Sequence, residues 1–505
     1  MKKHFIIHLL TILIASLSAS TIKAQNPNKP NIVFIYMDDL GYGDLSSYGA
    51  NKIKTPHIDA LAKEGLRFTN GHATSATCTP SRYALMTGEY PWRTGAAILP
   101  GDAALIIPTN RTTLPSQFQK AGYKTGIVGK WHLGLGDKLE KDWNSPISPG
   151  PNEVGFNYSF IFPATADRVP TVFMENGLVV GLDEQDPITV NYNKQIGSDP
   201  TGKAHPELLK MSATKNHGHE NTIVNGIGRI GYMSGGKTAR WTDEEVPLTF
   251  LIKAKDFIEE NKAQPFFLYY ALTEPHVPRM PSTFFKGKSQ LGSRGDAILQ
   301  MDWAVGEIRK HLESLKLTEN TIIVFSSDNG PVLDDGYDDD AVTQQNGHLP
   351  AGILRGGKYS AFEGGTRIPL IISWPGKIKP GISDALVCQV DFLASFSKLI
   401  AQPIPTNEAP ESDDVLSAFL GKSNTGRSIL VKQGGALSIT KENWKYISPN
   451  KGKTIEGLTG IETGNSLADQ LYDLKNDIGE QRNLAKEHPA KVKELKKLLL
   501  KINGK

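Results

Sequence analysis

Cys78 lies in the stretch "ATSATCTPSRYALMTGEYP", among small polar residues and directly before Thr79, Pro80, Ser81 and Arg82. It is one of 2 cysteines; the other, Cys388, sits in the apolar run "ALVCQVDFL". Pro80 suits the first turn of a helix running through "SRYALM". That places Cys78 beside a helix N-terminus, where exposed N–H groups and the helix dipole favour an anion. Arg82 is expected on the same first turn. The position therefore reads as a site of chemistry, whereas Cys388 reads as packing.

A second set of reactive residues comes after short apolar runs. Asp38 and Asp39 come after "NIVFIYM", Lys130 and His132 after "KTGIVG", His276 after "PFFLYYAL", and Asp328 and Asn329 after "TIIVFSS". Asp38, Asp39, Asp328 and Asn329 supply only carboxylate and amide oxygens. Such a set suits one Ca²⁺, with Mg²⁺ the lesser fit, and disfavours zinc. An Asp pair after a strand also caps helices and turns; it is the second pair in "SDNG" that favours a metal.

The elements that must position these groups are read from the same runs. They are rich in β-branched and aromatic residues and alternate with longer helical patterns such as "TPHIDALAKEGLRF" and "DAILQMDWAVGEIRKHLESLK"; "RIPLIISWPG" is a fifth strand candidate. The alternation predicts an α/β fold with a large, mainly parallel or mixed sheet flanked by helices. In open α/β sheets sites form beyond the carboxyl ends of strands, which is where the oxygen donors, lysines and histidines fall. The polar, Gly-rich interval 183–237 reads as a long surface excursion. After about Ala401 the texture changes. "ALSITKENWKYIS" and "ADQLYDLK" read as short strands and "HPAKVKELKKLLLKIN" as an amphipathic helix with a solvated lysine face. The expected organisation is a leader at 1–24, a catalytic domain at 25–420 and a smaller C-terminal α+β subdomain at 421–505.

The leader combines Lys2 and Lys3, an apolar run from Phe5 and small residues up to Ala24, the pattern of a secretory signal peptide. The expectation is an exported, periplasmic or secreted protein without a membrane span. Removing 1–24 takes away Lys2, Lys3 and Lys23 and no acid, so 56 basic residues become 53 against 53 acidic ones. A formally neutral chain carries no nucleic-acid or membrane-surface footprint. Two cysteines in such different settings do not suggest a disulfide.

"CTPSR" with "YALMTGEYP" directly after it resembles the signature of the type I, formylglycine-dependent sulfatases of the alkaline phosphatase superfamily. "NIVFIYMDDLGYGDLSSYG", "GYKTGIVGKWHLG", "PHVP", "SSDNG" and "LRGGKYSAFEGGTRIPLIISWPG" are similar to sulfatase blocks in family order. The resemblance spans nearly the whole mature chain and includes secreted bacterial glycan sulfatases. It implies the alkaline phosphatase-like fold and conversion of Cys78 to formylglycine by a formylglycine-generating or anaerobic sulfatase-maturing enzyme. One hydroxyl of the hydrated aldehyde then attacks sulfur, and the other is deprotonated to expel sulfate.

Residue by residue, the resemblance implies that Asp38, Asp39, Asp328 and Asn329 hold Ca²⁺ together with an oxygen of modified Cys78. Arg82 holds the nucleophile and the metal-site carboxylates, and Lys130 and Lys358 bind sulfate oxygens. His132 is the base, and His276 is the acid toward the leaving alcohol, shared with Lys358. The implied substrate is a sulfated carbohydrate such as ulvan, carrageenan, a mucin glycan or a glycosaminoglycan. Arg168, His217, His219 and Asp335 are the candidates to contact it; an Asp-rich solvated loop and ordinary surface histidines are the plainer reading of the last three. Two further readings stay open. One is a phosphodiester or phosphonate hydrolase of the same superfamily; the other is a catalytically silent glycan-binding relative with an unmodified Cys78.

Overall fold

The computed structural model describes residues 29–504. The 1–24 leader lies outside the described residues. The strand-forming runs become β1 (Asn31–Met37), β2 (Leu66–Phe68), β3 (Lys124–Lys130), β4 (Tyr158–Phe162), β5 (Phe266–Ala271), β6 (Thr321–Ser327) and β7 (Leu370–Ser373). They form the middle of a 10-stranded sheet, in the order β2-β7-β6-β1-β5-β3-β4, with Gly381–Ser383 beyond β2 and two short strands beyond β4. The four strands β6, β1, β5 and β3 run parallel, so their carboxyl ends lie side by side. "RIPLIISWPG" does form a strand, β7, but it runs antiparallel to β6 and β2.

β1 is apolar along its length because both of its faces are buried. Phe34 and Tyr36 pack on one side with Tyr83, Met86 and Phe392. Val33 and Ile35 pack on the other with Phe250, Ile298 and Met301. The second face is covered by α1 (Pro56–Glu64), α3 (Val246–Asn261) and α4 (Gly292–Ser314), and the first by α2 (Cys78–Thr87).

Two sequence expectations change. α2 begins at Cys78 itself, with Thr77 as its extended N-cap, so Arg82 lies one full turn along the helix and not in its first turn. Residues four apart share a face, which is what lets Cys78 and Arg82 address the same strand ends. The interval 183–237 is also no bare surface excursion. Thr189–Asn191 pairs with Tyr232–Ser234, Ile223–Val224 pairs with Ile227–Gly228, and the interval buries Arg229 and His219.

The C-terminal region is an antiparallel sheet of β8 (Ile429–Gln433), β9 (Leu437–Lys441), β10 (Trp444–Ile447) and β11 (Gln470–Asp473), backed by α5 (Pro489–Ile502). It shares a core with α2, since Ala84 and Cys388 pack with Leu430, Ile439 and Leu495. It also docks through buried charge. Glu363 Oε1 accepts from Lys432 at 2.7 Å and lies 3.0 Å from Lys445, while Oε2 accepts from Arg367 at 2.8 Å. Lys445 reaches Glu480 at 2.8 Å, and Glu363 N–H donates to Glu480 at 2.5 Å. Finally, Gln433 at the end of β8 pairs with the approach to α2: its N–H donates to Thr74 O at 2.9 Å and its carbonyl accepts from Ala76 N–H at 2.8 Å. Cys388 and Cys78 are both free thiols. No helix among the described residues is long and apolar enough to cross a membrane.

Candidate active site

The carboxyl ends of β1, β3, β5 and β6 converge on the N-terminus of α2, and all ten residues matched to the catalytic set lie there, fully or nearly buried. Asp38 and Asp39 leave β1, and Asp39 turns back through the left-handed region at φ 62. Its N–H donates to Asp328 Oδ1 at 3.2 Å, and its Oδ1 accepts from Asn329 Nδ2 at 2.7 Å. Arg82 reaches up from α2 to Asp328 Oδ2 at 3.0 Å and stands over the Tyr36 ring at 5.1 Å. Gly330 closes this corner: a Cβ there would meet Gly364 O at 1.7 Å, so no other residue fits after Asn329.

The lysines complete the cluster. Lys130 Nζ donates to Asp38 Oδ2 at 2.5 Å. Lys358 Nζ donates to Asp39 Oδ2 at 2.8 Å and to Asp335 Oδ2 at 2.7 Å. Asp335 therefore sits on the buried lysine and not in an outer solvated loop. These two carboxylates hold the Lys358 ammonium well above its ordinary pKa.

Asp38, Asp39 and His276 bring one donor atom each within 4.8 Å of one another. Asp38 Oδ1 and Asn329 Oδ1 are buried without a hydrogen-bond partner. Burial, then the neighbouring carboxylates, push Asp328 up to about 6. Asp38, Asp39, Asp328 and Asp335 face Arg82, Lys130 and Lys358, one negative charge in excess. A divalent cation on the orphaned oxygens reverses that excess to one positive, which suits an anionic ester. The residues present thus fit a hard, oxygen-preferring ion such as Ca²⁺. His276 Nε2 stands 3.7 Å from Asp39 Oδ2, closer to this group than an oxygen-only reading places it.

The histidines have defined tautomers, because a backbone carbonyl accepts only from N–H. His132 Nε2 donates to Leu99 O at 2.9 Å, leaving Nδ1 buried with a free lone pair. Burial, Lys130 and Arg168 hold His132 well below its ordinary pKa, so it is neutral. His276 Nδ1 donates to Val277 O at 2.7 Å, so its Nε2 lone pair faces Asp39 and Asp335. Burial, then Lys358, lowers His276 to about 4. For Cys78 burial outweighs the two lysines: its thiol is pushed up, not activated as the helix N-terminus alone suggested.

Of the remaining candidates, Arg168 pairs with Asp167 at 3.1 Å, and His219 Nε2 bonds Asp167 Oδ2 at 2.9 Å, so His219 is a buried group and not a surface one. His217 lies further out and bonds Leu458 O at 3.2 Å, a C-terminal loop carbonyl. Asp167 was missed in the sequence; its signal is adjacency to Arg168 in "TADRVP", which carries little weight alone.

A family model described as Sulfatase matches residues 30–401. The chain is 54% identical over 478 residues to an N-acetylgalactosamine-6-O-sulfatase of Bacteroides thetaiotaomicron, covering 94% of this chain and 93% of that protein. It is 34% identical over 411 residues to an arylsulfatase of Hemicentrotus pulcherrimus, 79% of this chain and 63% of that one. A solved structure from work on the metabolism of multiple glycosaminoglycans by Bacteroides thetaiotaomicron superposes with a TM-score of 0.93 at 53% identity, over 95% of this chain and 100% of that one.

Proposed function

Because this chain belongs to the sulfatase family, with a Sulfatase model matching residues 30–401, we propose that it hydrolyses the 6-O-sulfate ester of N-acetylgalactosamine units in a sulfated glycan. The observation carrying the chemistry is the convergence of four parallel strand ends on Cys78, with the orphaned oxygens of Asp38 and Asn329 among them. The sugar rests on the 54% identical relative.

Asp38, Asp39, Asp328 and Asn329 would hold one Ca²⁺, which when bound supplies a Lewis acid beside residue 78. Converted to formylglycine, Cys78 supplies a hydrated aldehyde as the nucleophile. The chain's own residues do the rest. Lys130 and Lys358 bind sulfate oxygens and counter the charge that shifts toward the leaving oxygen. Arg82, fixed on Asp328, holds the nucleophile's oxygen against the strand ends. His132 Nδ1, neutral and unpartnered, takes a proton, and its Nε2–H on Leu99 O steadies the ring as charge arrives. His276 carries no proton on Nε2 in the free site; an anionic ester beside it raises its affinity for one, and Nε2 then donates to the leaving alcohol. The burial of every group keeps water from competing.

Sulfate release from defined saccharides tests this. N-acetylgalactosamine 6-sulfate, alone and in chondroitin-type oligosaccharides, should be turned over far faster than 4-sulfated or 2-sulfated isomers, in a preparation whose residue 78 peptide shows the aldehyde mass. Equal rates on the isomers would remove the 6-O assignment. No release from any of them by converted protein would remove the substrate class.

A further inference from the structure

A cleft of about 820 Å³ opens beside the catalytic cluster, between the catalytic domain and the C-terminal sheet. Each catalytic wall has a sequence neighbour in its lining: Thr77 precedes Cys78, Tyr359 comes after Lys358, and Ile98 precedes Leu99, the carbonyl that holds His132. The far wall is C-terminal and includes Gln433 and Asn465. The volume lies within the range of about 300–1,000 Å³ usual for ligand sites, and none of the sulfate-handling residues lines it.

The two amides on this wall are held but unsatisfied. The Gln433 backbone is fixed by its bonds to Thr74 and Ala76, while its side-chain amide makes no hydrogen bond within the described residues. Asn465 Nδ2 donates to Lys453 O at 2.9 Å, which leaves Oδ1 buried and unpartnered. Its amide is clamped between two glycines: a Cβ on Gly435 or Gly452 would stand 2.6 or 2.5 Å from it. Buried carbonyl oxygens go without partners only rarely, and a pair sharing one cleft calls for a ligand that donates.

We propose that Gln433 and Asn465 form a subsite for a second sugar residue, accepting hydrogen bonds from its hydroxyl or amide N–H groups, so that the enzyme selects a sulfated sugar within an oligosaccharide over the free monosaccharide. This rests on the glycan-sulfatase reading above. Gln433 sets the near end of the subsite, since β8 brings it within hydrogen-bonding register of the segment that leads into Cys78. Asn465 sets the far end, on the loop that also gives Thr463 O to Ala361 N–H at 2.7 Å. The C-terminal region thereby selects substrate as well as covering the sheet.

The test compares the wild type, Gln433→Leu and Asn465→Leu on a 6-sulfated N-acetylhexosamine and on the same sugar within a disaccharide and a tetrasaccharide. The wild type should favour the oligosaccharides in kcat/KM by about tenfold or more, and each variant should lose about five- to tenfold on them, mostly through KM, with the monosaccharide rate unchanged. Gln433→Leu removes no protein hydrogen bond, so folding is not at stake; Gln433→Glu, which keeps an acceptor and breaks no protein hydrogen bond, should retain the oligosaccharide preference. A wild type that handles monosaccharide and oligosaccharide equally, or variants that lose activity equally on both, would overturn the subsite. Calorimetric binding of the unsulfated tetrasaccharide separates this from the reaction itself. Binding that both leucine variants weaken supports the subsite even where no sulfate is released, and a chain that releases sulfate but binds this saccharide no better than its variants do refutes it.

Discussion

Glu363 offers a sharp test of how the two regions are joined. One buried carboxylate meets Lys432 at 2.7 Å, Lys445 at 3.0 Å and Arg367 at 2.8 Å, and among the described residues Glu480 shares Lys445. Glu363→Gln keeps the shape and removes the charge, leaving three cations facing one acid. Breaking a buried pair from one side costs about 3–5 kcal/mol. A buried lysine can limit that cost by releasing its proton, and Lys432 is already lowered to about 8, mainly by burial. In the wild type Lys432 stays protonated below that pH in the folded chain and below about 10.4 in the unfolded chain. Its linkage is therefore nearly flat up to about pH 7 and begins to rise as pH 8 is approached. In the variant the folded chain has lost this proton while the unfolded chain still binds it, so stability climbs with pH by up to ~1.4 kcal/mol per unit. The penalty should thus be about 3–5 kcal/mol near pH 7 and smaller by about 1 kcal/mol at pH 8; above that both proteins rise in parallel. Urea midpoints, multiplied by the common slope, measure it. A penalty below about 1 kcal/mol, or one equal at both pH values, would refute the picture of Glu363 as the main anion on which Lys432 and Arg367 depend.

The site itself yields three more expected outcomes. His132→Ala should lower kcat by about 10²–10⁴-fold. Because burial, Lys130 and Arg168 hold that ring well below 6.5, the acid limb of the wild-type rate profile assigned to it should lie below pH 6.5. Chelation should lower the melting temperature of the wild type, as expected when a ligand of the folded state is withdrawn; Asp328→Asn should shrink that shift, and an unchanged shift would take Asp328 out of the ion's shell. Lys358→Ala should reduce kcat/KM on the sulfated glycan by about 10²–10³-fold, and a drop confined to KM would show that the lysine binds sulfate equally before and during the reaction.

Much of the catalytic cluster was legible because Asp38, Asp39, Lys130, Asp328 and Asn329 sit at or just past the ends of buried strands. β1, β3, β5 and β6 are short apolar runs that could hardly be anything else, and the residues just past each of them must emerge at one edge. The resemblance then fixed which of those residues matched which role. The antiparallel course of β7 was not legible, since a run buried on both faces reads the same in either direction. Nor was the position of Asp335. "VLDDGYDDDAV" has the composition of a solvated loop, and nothing in its spacing shows that one carboxylate will fold inward onto a lysine 23 residues away. Local pattern reports burial and period; it does not report which distant charge will be waiting.

The same reasoning explains why the wall opposite Cys78 escaped notice. Gln433 ends an ordinary edge strand and Asn465 stands in a polar loop, and neither type nor spacing marks them. Their significance arises only when β8 pairs with the segment leading to α2 and two glycines close on the Asn465 amide. The carboxylates and Lys130 of the catalytic cluster sit at strand ends, with Cys78 and Arg82 on the helix facing them, where the fold dictates their place. The groups proposed to tell one sugar chain from another sit at a strand end and on a loop of the smaller region, where their side chains can change without disturbing the nucleophile. A substitution at Gln433 or Asn465 should therefore alter which saccharide is chosen, and one at Arg82 or His132 should alter whether any is cleaved.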